Sequence, residues 1–284
     1  MIDKTISITV LVENTVSRQG LKAEHGLSFW IETEDGKVLW DTGQTVLLVN
    51  NAQKLGIPLH STNHIVLSHG HYDHTGGLLE VLKLAPHARV YGHPEIFIER
   101  FSRHEKVPIS IETISIPFVK HIIEKRCDSL VLRADPVEIL PGISTTGEIP
   151  RKTDFEDTGG DFFFDVECTK RDPTIDDQAL YIESSQGIVV ILGCAHSGVV
   201  NTLNYISKLT RQENIFAVFG GMHLHRASKE RIVATADAFV RYDVQIIGPC
   251  HCTGLKAITY LRSQFTDRFV ECSTGSRFTF GRKI

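Results

Sequence analysis

Residues 67–77 read Leu67-Ser68-His69-Gly70-His71-Tyr72-Asp73-His74-Thr75-Gly76-Gly77, with three imidazoles and one carboxylate inside six residues. The apolar triplet Ile65-Val66-Leu67 ahead of them predicts a short buried strand. The polar residues therefore sit on the loop that leaves this strand and project into a cleft at a sheet edge. Neutral imidazole and carboxylate oxygen are ligands for zinc, iron and manganese. On extended backbone, positions i and i+2 face one side, which pairs His69 with His71. Asp73 and His74 are adjacent, so a turn has to aim them differently from the first pair. That pattern fits two neighbouring divalent ions better than one. A lone histidine would be read as a solvated loop residue; H-x-H-x-D-H behind an apolar strand is read as a metal site.

Upstream, residues 27–33 alternate, and Val38-Leu39-Trp40 follows the turn Glu34-Asp35-Gly36. This predicts a hairpin running into Asp41-Thr42-Gly43, with a further strand over 6–13. Downstream, residues 76–85 have helical spacing and 88–91 return to strand. Residues 100–180 are less regular, with short strands at 129–133 and 137–140 and a polar stretch around Gly159-Gly160. They read as an elaboration on the core: a surface insertion, a lid or a dimer arm. The second half alternates strand and helix. Strands at 179–183 and 187–192 pair around Ser184-Ser185-Gln186, and further strands follow at 215–219 and 244–247. Helices are expected at 201–209, at 228–242 with Ile232, Ala236 and Phe239 on one face, and at 255–265. Residues 269–280 close the chain. The pattern predicts an α/β fold of one domain over 1–284, with two β-sheets packed face to face and helices outside both.

The chain has 284 residues, 42% of them hydrophobic and 23% charged, with a net charge of −4. These values exclude disordered and collagen-like chains and give no strong field for nucleic acid or an anionic membrane. No basic-then-apolar leader opens the sequence and no 18-residue apolar run occurs, so a cytoplasmic protein without a membrane span is expected. The six cysteines (127, 168, 194, 250, 252 and 272) are scattered. They are expected to be reduced and do not have the spacing of an iron–sulfur cluster. Dinucleotide and phosphate-loop glycine motifs, a nucleophile elbow and a basic–aromatic run are all missing. The expected partner is a small-molecule substrate, with a homodimer left open.

The H-x-H-x-D-H run resembles the signature of the metallo-β-lactamase superfamily. Asp41-Thr42-Gly43 resembles the family's turn ahead of that signature. Gly193-Cys194-Ala195-His196-Ser197-Gly198 falls where the family has an Asp or Cys ligand at a strand end. His251, in Gly248-Pro249-Cys250-His251-Cys252-Thr253-Gly254, resembles the family's final histidine. The resemblance implies a four-layer αββα sandwich holding one or two divalent metals at the sheet edges, zinc first, with iron or manganese as alternatives. It implies that His69, His71 and a third ligand hold one metal. Asp73, His74 and His251 hold the other, with a hydroxide between them and Asp73 in a catalytic role. Asp41 either orients one of these imidazoles or only shapes its turn.

One segment departs from the family pattern. Ser144-Thr145-Thr146-Gly147-Glu148-Ile149-Pro150-Arg151 has glutamate where a histidine is expected. The third ligand of the first metal must come from elsewhere, and His196 is the economical candidate. Cys194 either adds a thiolate or is a small buried strand residue. His93, His223 behind Gly220-Gly221, Glu148 and Arg151 are candidate substrate contacts, whereas Asp176-Asp177 reads as a turn former. Together with Ala23-Glu24-His25-Gly26, Asp176-Asp177-Gln178-Ala179-Leu180 and His251-Cys252-Thr253-Gly254, these segments resemble one branch of the superfamily, typified by the archaeal dihydropterin–ribofuranosylaminobenzene phosphate synthase. The leading expectation is a metal-dependent hydrolase of an ester, lactone or phosphoester, because a divalent metal lowers the pKa of bound water to about 7. A pterin-type synthase or transferase with a pyrophosphate leaving group is the alternative. A di-iron redox protein and a metal-binding sensor also stay open.

Overall fold

The structure is a computed structural model that describes residues 5–104 and 110–281. In chain order its strands are β1 (Thr5–Val12), β2 (Ser28–Glu32), β3 (Lys37–Trp40), β4 (His64–Val66), β5 (Arg89–Gly92), β6 (Phe101–His104), β7 (Ser110–Thr113) and β8 (Ser129–Leu132). They continue with β9 (Val137–Leu140), β10 (Ile143–Thr145), β11 (Phe162–Phe163), β12 (Ala179–Ser184), β13 (Gly187–Leu192), β14 (Ile215–Gly221), β15 (Ile246–Cys250) and β16 (Arg277–Gly281). The helices are α1 (Leu47–Leu55), α2 (Tyr72–Thr75), α3 (Leu78–Leu84), α4 (Lys120–Glu124), α5 (Val199–Thr210), α6 (Lys229–Arg241) and α7 (Leu255–Gln264).

Seven strands form the first sheet in the order β16-β1-β2-β3-β4-β5-β8, and six form the second in the order β15-β14-β13-β12-β10-β9. The burial of β13 shows how they stack. Its Val189 and Ile191 pack with Phe29, Ile31, Val38 and Trp40 in the layer between the sheets. Its Ile188, Val190 and Leu192 pack under α5, α6 and α7, beside Leu203, Ile232, Phe239 and Leu261. A strand covered on both faces reads as a continuous apolar run, as Gly187–Leu192 does. On the other side, Trp30, Leu39, Ile65 and Val90 of the first sheet meet Leu48 of α1, Val81 of α3 and Ile123 of α4. The result is the expected αββα sandwich. Ser228 caps α6 by accepting a hydrogen bond from the Arg231 amide at 3.2 Å, and the helix turns Ile232, Ala236 and Phe239 inward. Among the described residues no helix is long and apolar enough to cross a membrane.

Residues 100–180 differ from the single elaboration expected. Strand β8 extends the first sheet, and β9 and β10 extend the second. Only β6, β7 and β11 form a separate small sheet. Strands β8, β9 and β10 are three or four residues long with mixed polarity, so their pairing is set by the neighbouring strand rather than by their own pattern. Strand β15 also lies later than expected. Its parallel register on β14 runs from Ala217↔Ile246 to Gly221↔Cys250, whereas the Val244 amide closes on the Phe239 carbonyl at 2.9 Å. Pro249 is tolerated because β15 is an edge strand.

Strands β3, β4 and β5 run parallel, as do β13, β14 and β15. The carboxyl ends of both sets open at one rim of the sandwich, and the polar motifs all follow those ends. The inter-sheet core is independent of that rim. Phe219 is fully buried in it, its ring 4.4 Å from that of Phe278. Phe219→Ala is expected to cost about 3–5 kcal/mol, read as a lower denaturant midpoint of the metal-free protein. An unchanged midpoint would contradict this packing.

Candidate metal centre

Two turns build the rim by docking backbone on backbone. The Thr42 amide donates to the His74 carbonyl at 2.7 Å, and the Gly77 amide to the Gly43 carbonyl at 3.3 Å. The glycines of the motif make this possible. A Cβ at Gly76 would lie 2.0 Å from the Gln44 carbonyl oxygen, and one at Gly77 2.2 Å from that of Thr42. The loop then turns at once into the single helical turn α2. That turn sends Asp73 and His74 away from the direction of His69 and His71, as adjacency required.

The imidazole rings of His69, His71 and His196 gather with centroids 4.4 to 5.0 Å apart. All three Nε2 atoms are buried without a hydrogen-bond partner. The surroundings dictate the tautomers of two of them. His196 Nδ1 lies 2.8 Å from the Thr158 carbonyl oxygen, which only accepts, so Nδ1 carries the proton and Nε2 a lone pair. His69 Nδ1 lies 2.8 Å from Ser68 Oγ. The Ser68 hydroxyl proton already goes to Asp41 Oδ2 at 2.7 Å, so towards His69 this oxygen accepts and His69 Nε2 is also unprotonated. Burial pushes all three imidazoles well below their ordinary range, and neighbouring cationic groups, His74 among them for each, add to it. Neutral, buried imidazoles gathered with unpartnered ring nitrogens are a cation's ligand set.

A second donor group adjoins the first. His74 Nε2 lies 3.2 Å from His251 Nε2 and 3.2 Å from Cys194 Sγ, and Asp73 Oδ2 lies 3.2 Å from His251 Nε2. His251 Nδ1 donates to Asn14 Oδ1 at 2.8 Å, which aims its Nε2 at Asp73 and His74. His74 Nδ1 is 2.7 Å from Asp41 Oδ2, so Asp41 orients this imidazole. Burial alone would lower the His74 pKa, but the Asp73 and Asp41 carboxylates outweigh it and push it up to about 9. Burial alone would raise the Asp73 carboxyl, yet His74, His25 and His251 hold it well below the carboxylate range.

A cavity of about 360 Å³ opens onto both groups, lined in part by His71, Asp73, Cys194, His223 and His251. Its outer wall comes from the small sheet. The Phe162 ring lies 5.2 Å from both His71 and His196. His69, His71, Asp73, His74, Cys194, His196 and His251 are thus brought together, and His223 joins them on the cavity floor. Three expected substrate contacts are not. Glu148 is exposed and outside the cavity lining. Gly147 takes a positive φ of 62°, and the Glu148 amide is tied to the Ala134 carbonyl at 2.7 Å. Arg151 points behind the centre, donating to the carbonyl oxygens of His196 at 2.6 Å and Pro173 at 2.5 Å. His93 is buried beyond the lining, its Nδ1 accepting from the Glu95 amide at 3.2 Å. Asp176 and Asp177 do more than shape a turn: they accept from the Gly70 and Ser197 amides, each at 2.8 Å.

Sequence reasoning gave no role to two residues at the centre. His25 Nε2 lies 3.2 Å from Asp73 Oδ2, and that contact raises its pKa. Cys252 lies beside Cys194. Burial opposes ionisation of Cys252, but the Cys194 hydrogen bond and the His223 and His251 imidazoles hold its thiol well below the usual range. Their signals were the tetrapeptides Ala23-Glu24-His25-Gly26 and His251-Cys252-Thr253-Gly254.

The family model of the metallo-beta-lactamase superfamily matches residues 21–251. The chain belongs to the metallo-β-lactamase superfamily. It is 33% identical over 268 residues to the 7,8-dihydropterin-6-methyl-4-(beta-D-ribofuranosyl)-aminobenzene-5'-phosphate synthase of Methanocaldococcus jannaschii, covering 91% of this chain and 90% of that protein. A solved metal-dependent hydrolase of the beta-lactamase superfamily superimposes with a TM-score of 0.81 at 28% identity, covering 96% of this chain and 98% of the other. Zinc-bound PqqB from Methylobacterium extorquens shares the fold, with a TM-score of 0.59 at 14% identity over 96% of this chain and 99% of its own.

Two outcomes follow for metal binding. In the metal-free protein His74, at about 9, is protonated at neutral pH, and ligation at Nε2 requires that proton to leave. Metal affinity is therefore expected to rise by up to about tenfold per pH unit between pH 7 and 9 and to level off above. The stabilisation that the raised His74 pKa gives the metal-free fold runs the other way: full below pH 6.5, lost by about pH 9. Chelator competition across this range checks the affinity, and a flat profile would contradict the assignment. Asp41→Asn is expected to weaken metal binding by about 10–100-fold, since it alters the partner of both Ser68 and His74.

Proposed function

We propose that this protein is a metal-dependent hydrolase that cleaves an ester, lactone or phosphoester seated in the cavity above the histidine centre. One observation carries the reading: the buried imidazoles of His69, His71 and His196, each with an unpartnered Nε2 and two of them unprotonated there, gather beside the Asp73–His74–His251 group at the floor of a solvent-connected cavity. A divalent cation held there supplies Lewis acidity and a water acidic enough to ionise near pH 7. Cys194, within reach of both donor groups, favours zinc over harder ions.

The chain's own residues do the rest. Asp73 presents an ionised carboxylate to the centre, flanked by His74 and His251. His25, more than half exposed, stands on the cavity side of Asp73, where it is placed to hand a proton to a leaving group. Phe162 excludes water from one side of the imidazoles, and the cavity is lined by groups of both signs, Arg226 as well as Glu112 and Asp161.

A second reading is favoured by the 33% identity to the pterin-pathway synthase. In it an organic nucleophile takes the place of water and inorganic pyrophosphate leaves. The cavity volume of about 360 Å³ favours hydrolysis of one small substrate. It lies at the small end of the range for ligand sites, roughly 300–1,000 Å³, with little room for two organic reactants and a pyrophosphate.

The purified protein, loaded with zinc, manganese or iron in turn, is expected to turn over activated esters, a lactone or a phosphodiester in water alone. Its rate should rise as pH passes about 7. Pyrophosphate release that strictly requires a second organic substrate would replace the hydrolase reading by the synthase one. Asp73→Ala is expected to lose nearly all turnover together with bound metal while keeping its fold. Glu148→Ala, changed only on the surface, is expected to keep its metal and a stability within about 0.5 kcal/mol. Metal analysis and circular dichroism of both variants check this.

A further inference from the structure

Three donors on the cavity floor meet at the edge of the imidazole cradle. Cys252 Sγ lies 3.2 Å from Cys194 Sγ, and a ring nitrogen of His223 lies within 4.8 Å of both sulfurs. The fold makes room for this meeting. A Cβ at Gly221 would lie 2.7 Å from Cys252 Sγ, and one at Gly159 2.2 Å from His223 Cδ2. His223 is 8% exposed, and its backbone is held at a φ of 43°, in the left-handed region. Its Nδ1 is buried with no hydrogen-bond partner. A buried nitrogen without a partner is a cost that a bound ligand would recover.

We propose that Cys194, Cys252 and His223 form a thiolate site of their own for a thiophilic divalent cation such as zinc or cadmium, with Cys194 as the edge shared with the histidine centre. The distances suit such an ion. A zinc–sulfur bond of about 2.3 Å puts two sulfurs on a tetrahedral ion roughly 3.8 Å apart. From 3.2 Å, each sulfur has to move about 0.3 Å to reach that separation. Hydrogen bonds of Cys252 to Cys194 and to His223 hold the three groups together without an ion, yet leave His223 Nδ1 unpartnered. All three residues line the cavity, so an ion has an entry path and an open fourth position. The site does not depend on which reaction the histidine centre performs.

The test is cadmium titration of the full-length protein, reduced and stripped of metal, read by the ultraviolet thiolate-to-cadmium charge-transfer band. At saturation the wild-type band is expected to have the height of two thiolates, with Cys252→Ser and Cys194→Ser each near half of it. His223→Ala should keep the band height and bind at least about tenfold more weakly. Cadmium NMR of the wild-type protein needs no variant to fold and should show one ion with two sulfur ligands. A wild-type band of one-thiolate height, or a Cys252→Ser band equal to that of wild type, would overturn the proposal. So would the absence of a two-sulfur cadmium resonance.

Discussion

The Asp41 carboxylate, fully buried, accepts three hydrogen bonds of 2.7 Å, from the Ser68 amide, the Ser68 hydroxyl and His74 Nδ1. An ionised carboxylate withdrawn from water is tolerated only when donors surround it. Both halves of the centre are organised by meeting that demand. Taking the Ser68 proton turns the Ser68 oxygen into an acceptor for His69, which frees His69 Nε2 in the first group. Holding His74 Nδ1 aims His74 Nε2 into the second. The residue is placed for this because the β2–β3 hairpin ends at Trp40 and the Asp41 amide continues the ladder onto the Val66 carbonyl at 2.9 Å.

The outer wall of the cavity is anchored as firmly as its floor. Arg100, fully buried just before β6, pairs with Asp172 at 2.8 Å and with Asp176 at 2.9 Å. Asp176 in turn accepts from the Gly70 amide, between His69 and His71. Removing one partner of such a buried set typically costs about 3–5 kcal/mol. The small sheet is therefore tied through Asp176 to the loop that carries the ligands.

The parts of this arrangement legible in the sequence are those that depend on local pattern. H-x-H-x-D-H behind an apolar strand, the Asp-Thr-Gly turn after a hairpin and the fully apolar run of β13 all carry their structural meaning within a few residues. The parts that were not legible depend on distant segments meeting. Strands β8, β9 and β10 are too short to announce which sheet they join. Glu148 and Arg151 were placed at the centre by their position relative to an expected histidine. The turn at Gly147 faces one outward, and the other is taken up by the His196 and Pro173 carbonyls. Cys252 and His25 reach the centre from opposite ends of the chain, so nothing near either residue names its neighbour.

Three strand ends share a further feature that local pattern does not reveal. Ala195 after β13, His223 after β14 and His251 after β15 all take positive φ, between 43° and 53°, without being glycine. Such conformations cost on the order of 1–3 kcal/mol each and persist only where the surroundings enforce them. Here those surroundings are the inter-sheet and helix-facing cores, into which Ala195, Met222 and Cys250 at these strand ends are packed. Folding is driven by apolar layers away from the rim, and the strained strand ends together with the buried, unpartnered imidazoles are carried along as a cost. That is the opposite of a small zinc-folded domain, in which the metal supplies the folding energy. In this chain the sandwich pre-forms the donor set, and the cation's binding energy is left to offset these costs at the rim itself.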